Sequence, residues 1–285
     1  VAPRDLATRS GGLEEIEFEE LPAELRKFDK LQTLVVEATA RGFEIKCREY
    51  DAYVRRWGGL QQQSVRQASF LHEQCFQLLL DVFAPLATIT PRKDDPLAVE
   101  LIFRGVNLPR RTEENVLGEP GQIMQPLLRR TNRSGELVGG GVPAVPWTFL
   151  TTVEPAENGW RARVDSGLRR PFGGRRRGRV QTLGLTLRPT GEPTDVRFYA
   201  RHRPGEGLAG YEVYRRAPRD DESTLLGVTD ADGALTLSGE RAGVETLFLR
   251  SDGQLLAKVP VVPGALTLVE VQAPVDPATL REAAQ

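Results

Sequence analysis

The chain has 285 residues, 40% of them hydrophobic, which is enough to bury two or three modest cores and excludes a wholly disordered polymer. Its formal net charge of −1 removes any whole-chain electrostatic argument for binding nucleic acid or acidic lipid. The charge is unevenly distributed, because the middle of the chain from Arg161 to Arg203 is basic and the part after Pro204 is acidic.

The first predicted element is an antiparallel helical hairpin within residues 1–85. Apolar residues recur at helical intervals over residues 22–57 and again over residues 60–84. The glycines at 58–59 separate the two stretches, so we expect the chain to reverse there. We expect this hairpin to mediate association with a protein partner or with a second copy of the chain.

The only two cysteines, Cys47 and Cys75, fall at the same level of the predicted hairpin. Sulfurs so placed form a disulfide if their Cα atoms approach within about 7 Å. A disulfide is typical of an oxidising compartment, and the start at Val1 also fits removal of a signal peptide. We therefore expect an extracytoplasmic protein, periplasmic or secreted. The alternatives are two buried thiols, a start chosen in cloning and a cytoplasmic location.

Residues 86–145 predict an irregular, linker-rich segment with one strand near residues 97–103. Residues 146–205 predict a basic antiparallel β module, because apolar and charged side chains alternate along residues 160–164. Asn158 and Gly159 predict the turn that joins this strand to the one before it.

Residues 206–275 predict a β-sandwich of six or seven short strands, and residues 276–285 a C-terminal tail. Its segments GLAGYEVYRR, LLGVTDADGALTL and ETLFLRSDGQLLAKVPVV resemble, in this order, the carboxypeptidase regulatory-like, or transthyretin-like, domain. The family's T-D-x-x-G turn and the apolar strand after it match Thr229, Asp230, Gly233, Leu235 and Leu237. The resemblance implies a noncatalytic accessory module of a kind common in exported bacterial proteins.

The expected fold class is therefore mixed and mainly β. An N-terminal antiparallel helical hairpin is followed by two small antiparallel β modules, the last an Ig-like or transthyretin-like sandwich. No run of about eighteen apolar residues is present, so we expect no membrane span.

Signatures of catalysis are absent from the sequence. It contains no HExxH, GxSxG, phosphate-loop or GxGxxG motif. His72 and His202 are the only histidines, and we interpret them as a partly buried residue and a solvated loop residue. His72, Cys75 and Cys47 lack a fourth zinc ligand, so we expect no metal and no cofactor. We predict a protein that is not an enzyme; the alternative is a hydrolase whose carboxylate pair is assembled by the fold.

The most unusual local composition is an arginine-rich loop at residues 166–179. Its candidate anion-binding residues are Arg169, Arg170, Arg175, Arg176, Arg177 and Arg179, with Phe172 as a stacking surface. One interpretation is that the loop pairs with acidic parts of the same chain or a neighbour. The others are an anionic glycan or envelope polymer and, less favoured because RNP, KH and helix-turn-helix signatures are missing, nucleic acid.

The leading hypothesis from the sequence is a noncatalytic extracytoplasmic protein with a structural or binding role. In this hypothesis the helical hairpin mediates association and the β modules contact the ligand or partner. The alternatives are an anionic-polymer-binding protein that uses the loop at 166–179, and the hydrolase.

Overall fold

The described part of the chain is built mainly from β strands. A computed structural model describes residues 18–92, 94–105, 117–138, 141–157, 159–173, 179–201, 203–217, 220–239 and 243–274. The strands are β1 (Lys30–Thr39), β2 (Gly42–Asp51), β3 (Arg56–Trp57), β4 (Gln61–Val65), β5 (Leu86–Pro91), β6 (Ala98–Phe103), β7 (Ile123–Thr131), β8 (Thr148–Ala156), β9 (Gly159–Ser166), β10 (Arg179–Thr186), β11 (Thr194–Ala200), β12 (Arg203–Gly207), β13 (Glu212–Arg216), β14 (Thr224–Val228), β15 (Ala234–Leu237), β16 (Glu245–Ser251), β17 (Gln254–Val261) and β18 (Leu268–Ala273). An α helix, α1 (Leu71–Val82), and two 3-10 turns, Phe18–Glu20 and Ala68–Phe70, complete the regular structure. No helix in these ranges is long and apolar enough to cross a membrane.

Strand β2 is the centre of an N-terminal sheet, because β1, β3 and β4 all pair with it in antiparallel register. Alternate residues of β2 point to the same face, which brings Ile45 and Cys47 under helix α1. The helix buries Leu78 and Val82 against them. This sheet and its helix form one small core at the front of the molecule.

The predicted helical hairpin in residues 1–85 is wrong. Residues 30–51 form the β1–β2 hairpin, which reverses at residues 40–41 and not at 58–59. The same apolar residues also alternate with period two, and the stretch is rich in β-branched side chains, which favour strands. Of the second predicted helix, only residues 71–82 are α-helical. The acidic lead at 1–17 lies outside the described residues.

Six strands close into an antiparallel barrel in the order β10–β5–β6–β9–β8–β7. Inward-pointing side chains fill its interior, among them the fully buried Val99, Leu101, Met124, Leu150 and Ala162. Strands β9 and β10 lie opposite each other in this ring, three strands apart in either direction. The connection between them must therefore pass from one side of the barrel to the other.

The barrel shows that the predicted pair of small antiparallel modules is wrong. Residues 86–145, predicted to hold one strand, contribute β5, β6 and β7. Residues 146–205 contribute β8, β9 and β10 to the same barrel and β11 to a different sheet. The predicted β8–β9 hairpin is formed, with Ala156 paired to Gly159, whereas Asn158 lies outside the described residues. Neighbouring strands could be recognised from local alternation, but pairings between distant segments could not.

The C-terminal strands form two four-stranded sheets around a common core. One sheet has the order β12–β11–β15 with β18 also paired to β11, and the other has the order β14–β13–β16–β17. Val196, Phe198, Val213, Leu247 and Val271 are fully buried between the sheets. The β11–β18 pair is parallel, so this part is not antiparallel throughout, and its central strand comes from the segment assigned to the preceding module.

A buried ion cluster joins the N-terminal sheet to the start of the barrel. The Lys30 Nζ donates to Glu49 Oε1 at 2.7 Å, to Asp51 Oδ2 at 2.9 Å and to the carbonyl oxygen of Ala84 at 2.7 Å. Glu49 and Asp51 are only 2% and 4% exposed, which is costly for carboxylates unless they are paired. Glu49 Oε1 also accepts from the Ala84 amide, two residues before β5 begins.

Replacing the central cation of this cluster should destabilise the N-terminal sheet. In Lys30→Met, two buried carboxylates lose their counter-ion, and we expect the local free energy of unfolding to fall by about 3–5 kcal/mol. Hydrogen exchange of the β1 and β2 amides measures this free energy. The control is Lys46→Met, which removes a lysine on β2 whose partners Glu37 and Glu44 are exposed, and it should change exchange far less. Equal effects of the two substitutions would contradict the assignment.

Candidate anion-binding surface

The described arginines of the loop at 166–179 lie on different sides of the barrel. Arg169 and Arg170 follow β9, whereas Arg179 begins β10 on the opposite side of the ring. Arg175, Arg176 and Arg177 lie outside the described residues. The described members of the predicted cluster therefore do not converge on one site.

Phe172 does not provide the predicted stacking surface. Its side chain is half-buried and packs against the cluster of apolar residues inside the barrel. A ring in this position covers the barrel interior and does not offer both faces to a ligand. The interpretation of Phe172 as a nucleic-acid stacking residue is therefore replaced by a packing role.

Arg169 lines a groove of about 480 Å³ between the barrel and the C-terminal sheets. Its other charged lining residues are Arg163, Arg216, Lys258, Asp165, Asp220 and Asp221. Arg163 is already paired with Asp165 at 3.0 Å. Because basic and acidic side chains are mixed here, the groove does not select for anions by charge alone.

The other end of the loop reaches a purely basic surface, which we call the Tyr53 face and define as Tyr53, Arg104, Arg129, Arg133 and Arg179. The guanidinium carbons of Arg104 and Arg129 lie 3.8 Å and 4.1 Å from the centroid of the Tyr53 ring. Two planar guanidinium groups are too wide to share one ring face at these distances, so they lie on opposite faces. The tyrosine is thus held between two positive charges.

Hydrogen bonds fix this stack on the outside of the barrel. The Tyr53 hydroxyl donates to Gln181 Oε1 at 2.7 Å, and Arg129 Nε donates to the Tyr53 carbonyl at 3.2 Å. Gln181 lies opposite Arg129 in the β10–β7 pairing, and Arg179 lies two residues away on the same side of β10. Arg179 Nη1 in turn donates to the Arg133 carbonyl at 3.3 Å.

The positive charges of the Tyr53 face lack carboxylate partners within the described ranges. No ion pair there involves Arg104, Arg129, Arg133 or Arg179. The acidic residue in the adjoining turn is Glu136, whose carboxylate accepts from Asn132 at 2.8 Å and from Ser134 at 3.0 Å. These two bonds, the Asn132 bond first, lower the pKa of Glu136. Cations held together without a counter-ion favour binding of an external anion.

Sequence reasoning missed most of this surface because its residues come from distant parts of the chain. Tyr53 precedes β3, Arg104 follows β6 and Arg129 lies on β7. Of the candidate residues predicted from the sequence, only Arg179 belongs to the surface. The paired arginines at 129–130 are the one local signal that pointed here.

The structure contains a carboxylate pair of the kind that the hydrolase alternative requires, namely Glu49 and Asp51. All four of their oxygens are hydrogen-bonded: Glu49 accepts from Lys30, Gln32 and the Ala84 amide, and Asp51 from Lys30 and two amides of the following turn. The adjoining cavity is about 80 Å³, smaller than the roughly 300–1,000 Å³ of ordinary ligand pockets. This pair is arranged to stabilise the fold.

The predicted disulfide is absent: Cys47 and Cys75 are free thiols in the core beneath α1. They are near each other because α1 packs on β2, not because two helices pair. The free thiols remove the structural argument for an oxidising compartment, so the extracytoplasmic location stays a prediction. His72 is exposed on α1, contrary to its predicted partial burial, and His202 lies outside the described residues. Within the described ranges, no three His, Cys, Asp or Glu side chains converge as metal ligands.

Comparison with known proteins adds no functional information. No family model matches the chain, and no curated protein matches it, so the transthyretin-like resemblance stays a prediction. Among solved structures, the Bacillus anthracis TIE protein is similar at 12% identity and a TM-score of 0.22, over 73% of this chain and 45% of that one. TolB from Acinetobacter baumannii is similar at 11% identity and a TM-score of 0.18, over 88% and 84% of the two chains. Likenesses this weak carry no argument about fold or function.

The two thiols should differ in reactivity in the native protein. Burial raises the pKa of Cys47 to about 11, so at pH 8 this thiol stays protonated and is also inaccessible. Cys75 is half-buried. With iodoacetamide at pH 8, we expect mass spectrometry to find alkylation at Cys75 first and at Cys47 only after unfolding. A species that resists alkylation until it is reduced would instead reveal a disulfide.

Proposed function

We propose that this chain is a noncatalytic binding protein that recognises an anionic polysaccharide through the Tyr53 face. The observation that carries the proposal is the pair of guanidinium groups of Arg104 and Arg129, held on opposite faces of one tyrosine without a carboxylate partner in the described residues. Stacking uses the flat faces of the guanidinium groups, so their N–H edges remain directed outward. Those edges are suited to forked hydrogen bonds with sulfate or carboxylate oxygens.

The extended shape of the surface supports a polymer over a small anion. Arg179 and Arg133 continue the positive charge along β10 and the turn after β7, beyond the stack at Tyr53. A row of cations on a convex barrel wall can contact several charged groups of an extended chain at once. Each contact releases counter-ions, so the affinity should fall steeply as salt is added.

The aromatic residues favour a polysaccharide over single-stranded nucleic acid. Proteins that bind single strands without sequence preference stack bases on exposed aromatic rings. Both faces of Tyr53 are covered by guanidinium groups, and Phe172 packs on the barrel interior. Neither ring is available to a base, whereas a polysaccharide needs no stacking platform.

The test compares two double variants that change the net charge equally. In Arg104→Gln/Arg129→Gln, we expect at least about a tenfold loss of affinity for a heparin-type polysaccharide at low salt, because two of its contacts are removed. The slope of log affinity against log salt should become shallower by about 1.5, on the scale of 0.7–0.9 for each lost contact. Isothermal titration across a salt series measures both quantities.

The matched control is Arg161→Gln/Arg203→Gln. These arginines are exposed and already paired with Glu154 and Glu206, so their loss should leave binding nearly unchanged. Equal weakening by both double variants would show unspecific attraction and contradict the proposal, as would wild-type protein that does not bind. Tighter binding to single-stranded DNA of equal charge would replace the polysaccharide with nucleic acid.

The tyrosine itself gives a finer test of the stack. Tyr53→Phe keeps the ring between the guanidinium groups and should retain binding within about threefold, whereas Tyr53→Leu removes the quadrupole that holds them and should weaken binding as much as loss of one arginine. Affinity for the same polysaccharide is the measured quantity. If leucine binds as well as phenylalanine, the arginines act without the ring.

A further inference from the structure

The N-terminal sheet ends in a long strand with a free edge. β1 pairs with β2 over all ten of its residues, without a register shift. On its other side, no strand of the described residues pairs with it. Its outward N–H and C=O groups therefore form a template on which another strand can pair.

This edge lacks the features that usually protect an edge strand. β1 contains no proline, and its two charged residues are occupied: Lys30 in the buried cluster and Glu37 in an ion pair with Lys46 on the neighbouring strand. The edge strand β14 is different, since it has only five residues and its pairing with β13 contains a register shift. Short length and bulges are among the devices that block pairing between molecules.

Exposed apolar side chains accompany the free edge on the face that carries α1. Leu34 and Val36 lie opposite Cys47 and Ile45, which are fully buried beneath the helix, yet they are themselves 37% and 42% exposed. The helix lies over β2 and β4, which leaves β1 only partly covered. Phe76, on the helix, is 60% exposed. An apolar strip therefore borders an unpaired strand.

We propose that two copies of this chain associate by antiparallel pairing of β1 with β1, around a two-fold axis at Val35. The register makes the strip self-complementary, because Leu34 then lies opposite Val36 of the partner subunit and Val36 opposite the partner's Leu34. The two N-terminal sheets join into one eight-stranded sheet with both helices on the same face. This contact is isologous, as expected for a two-fold dimer.

The charges on the other face are compatible with the same register. Glu37 lies opposite the partner's Thr33, whose β2 neighbour within its own sheet is Arg48. A carboxylate thus faces the side of the partner that carries a cation, and no like charges lie directly opposite each other. A register centred on Leu34 would place the polar Gln32 against Val36 of the partner subunit. One centred on Val36 would place Val35 against the partner's Glu37.

The first test is the oligomeric state of the full chain by sedimentation equilibrium. We expect a reversible dimer in the wild-type protein and a dimer dissociation constant at least tenfold higher in Val36→Lys, because the lysine would lie against an apolar partner. The control is Leu225→Lys, which places the same charge at an exposed apolar position on the edge strand β14 and should leave the dimer unchanged. Melting temperatures near that of the wild type show that both variants are folded.

A cross-link tests the register itself. Val35→Cys brings the two new thiols to directly opposed positions, with Cβ atoms about 4.5–5.5 Å apart, so mild oxidation should yield a covalent dimer. Thr33→Cys places the thiols four residues out of register, roughly 13 Å apart at 3.3 Å per residue, and should not cross-link. The native chain controls for Cys47 and Cys75, which are buried and half-buried and should stay monomeric.

Three outcomes would overturn the proposal. A wild-type monomer at every concentration would leave the edge to a strand from another protein. A dimer that survives Val36→Lys but is lost in Leu225→Lys would move the interface to β14. A dimer in which Thr33→Cys cross-links and Val35→Cys does not would refute this register.

Discussion

A single buried ammonium group determines how the front of the molecule is joined to the rest. Lys30 neutralises Glu49 and Asp51 and donates to the Ala84 carbonyl, so the end of β2 and the entrance to β5 are held together. The second oxygen of Asp51 accepts from the amides of Tyr53 and the residue after it. The turn that presents Tyr53 is therefore shaped by the same cluster, and the candidate surface depends on a charge buried behind it.

Closure of the barrel explains why basic residues that are adjacent in sequence are separated in space. Because β9 and β10 lie on opposite sides of the ring, the two ends of the arginine-rich loop face different surroundings. Arg169 faces a groove of mixed charge, and Arg179 joins arginines from other segments. Phe172, between them, contributes its ring to the barrel interior. Topology thus redistributes a charge run that composition alone would treat as one site.

The accuracy of the sequence predictions depended on whether the pattern was local. The β8–β9 hairpin was recognisable because alternation on both strands and a glycine at the turn occur within twenty residues of each other. The helical hairpin was wrong because an apolar residue at every second position also produces residues three and four apart. The Tyr53 face was missed because Arg104 and Arg129 meet the ring only after the barrel has closed.

The sequence by itself determined that this chain is rich in β strands, that its middle is basic, and that the segment at 71–82 is helical. Period-two alternation, arginine content and the absence of glycine and proline within that segment are local properties. Only the tertiary structure decided which strands pair, that six of them close into a barrel, and which cations gather around one tyrosine. Those outcomes depend on contacts between distant segments, whose free energy is gained when the core is buried and leaves no mark in any short stretch of sequence.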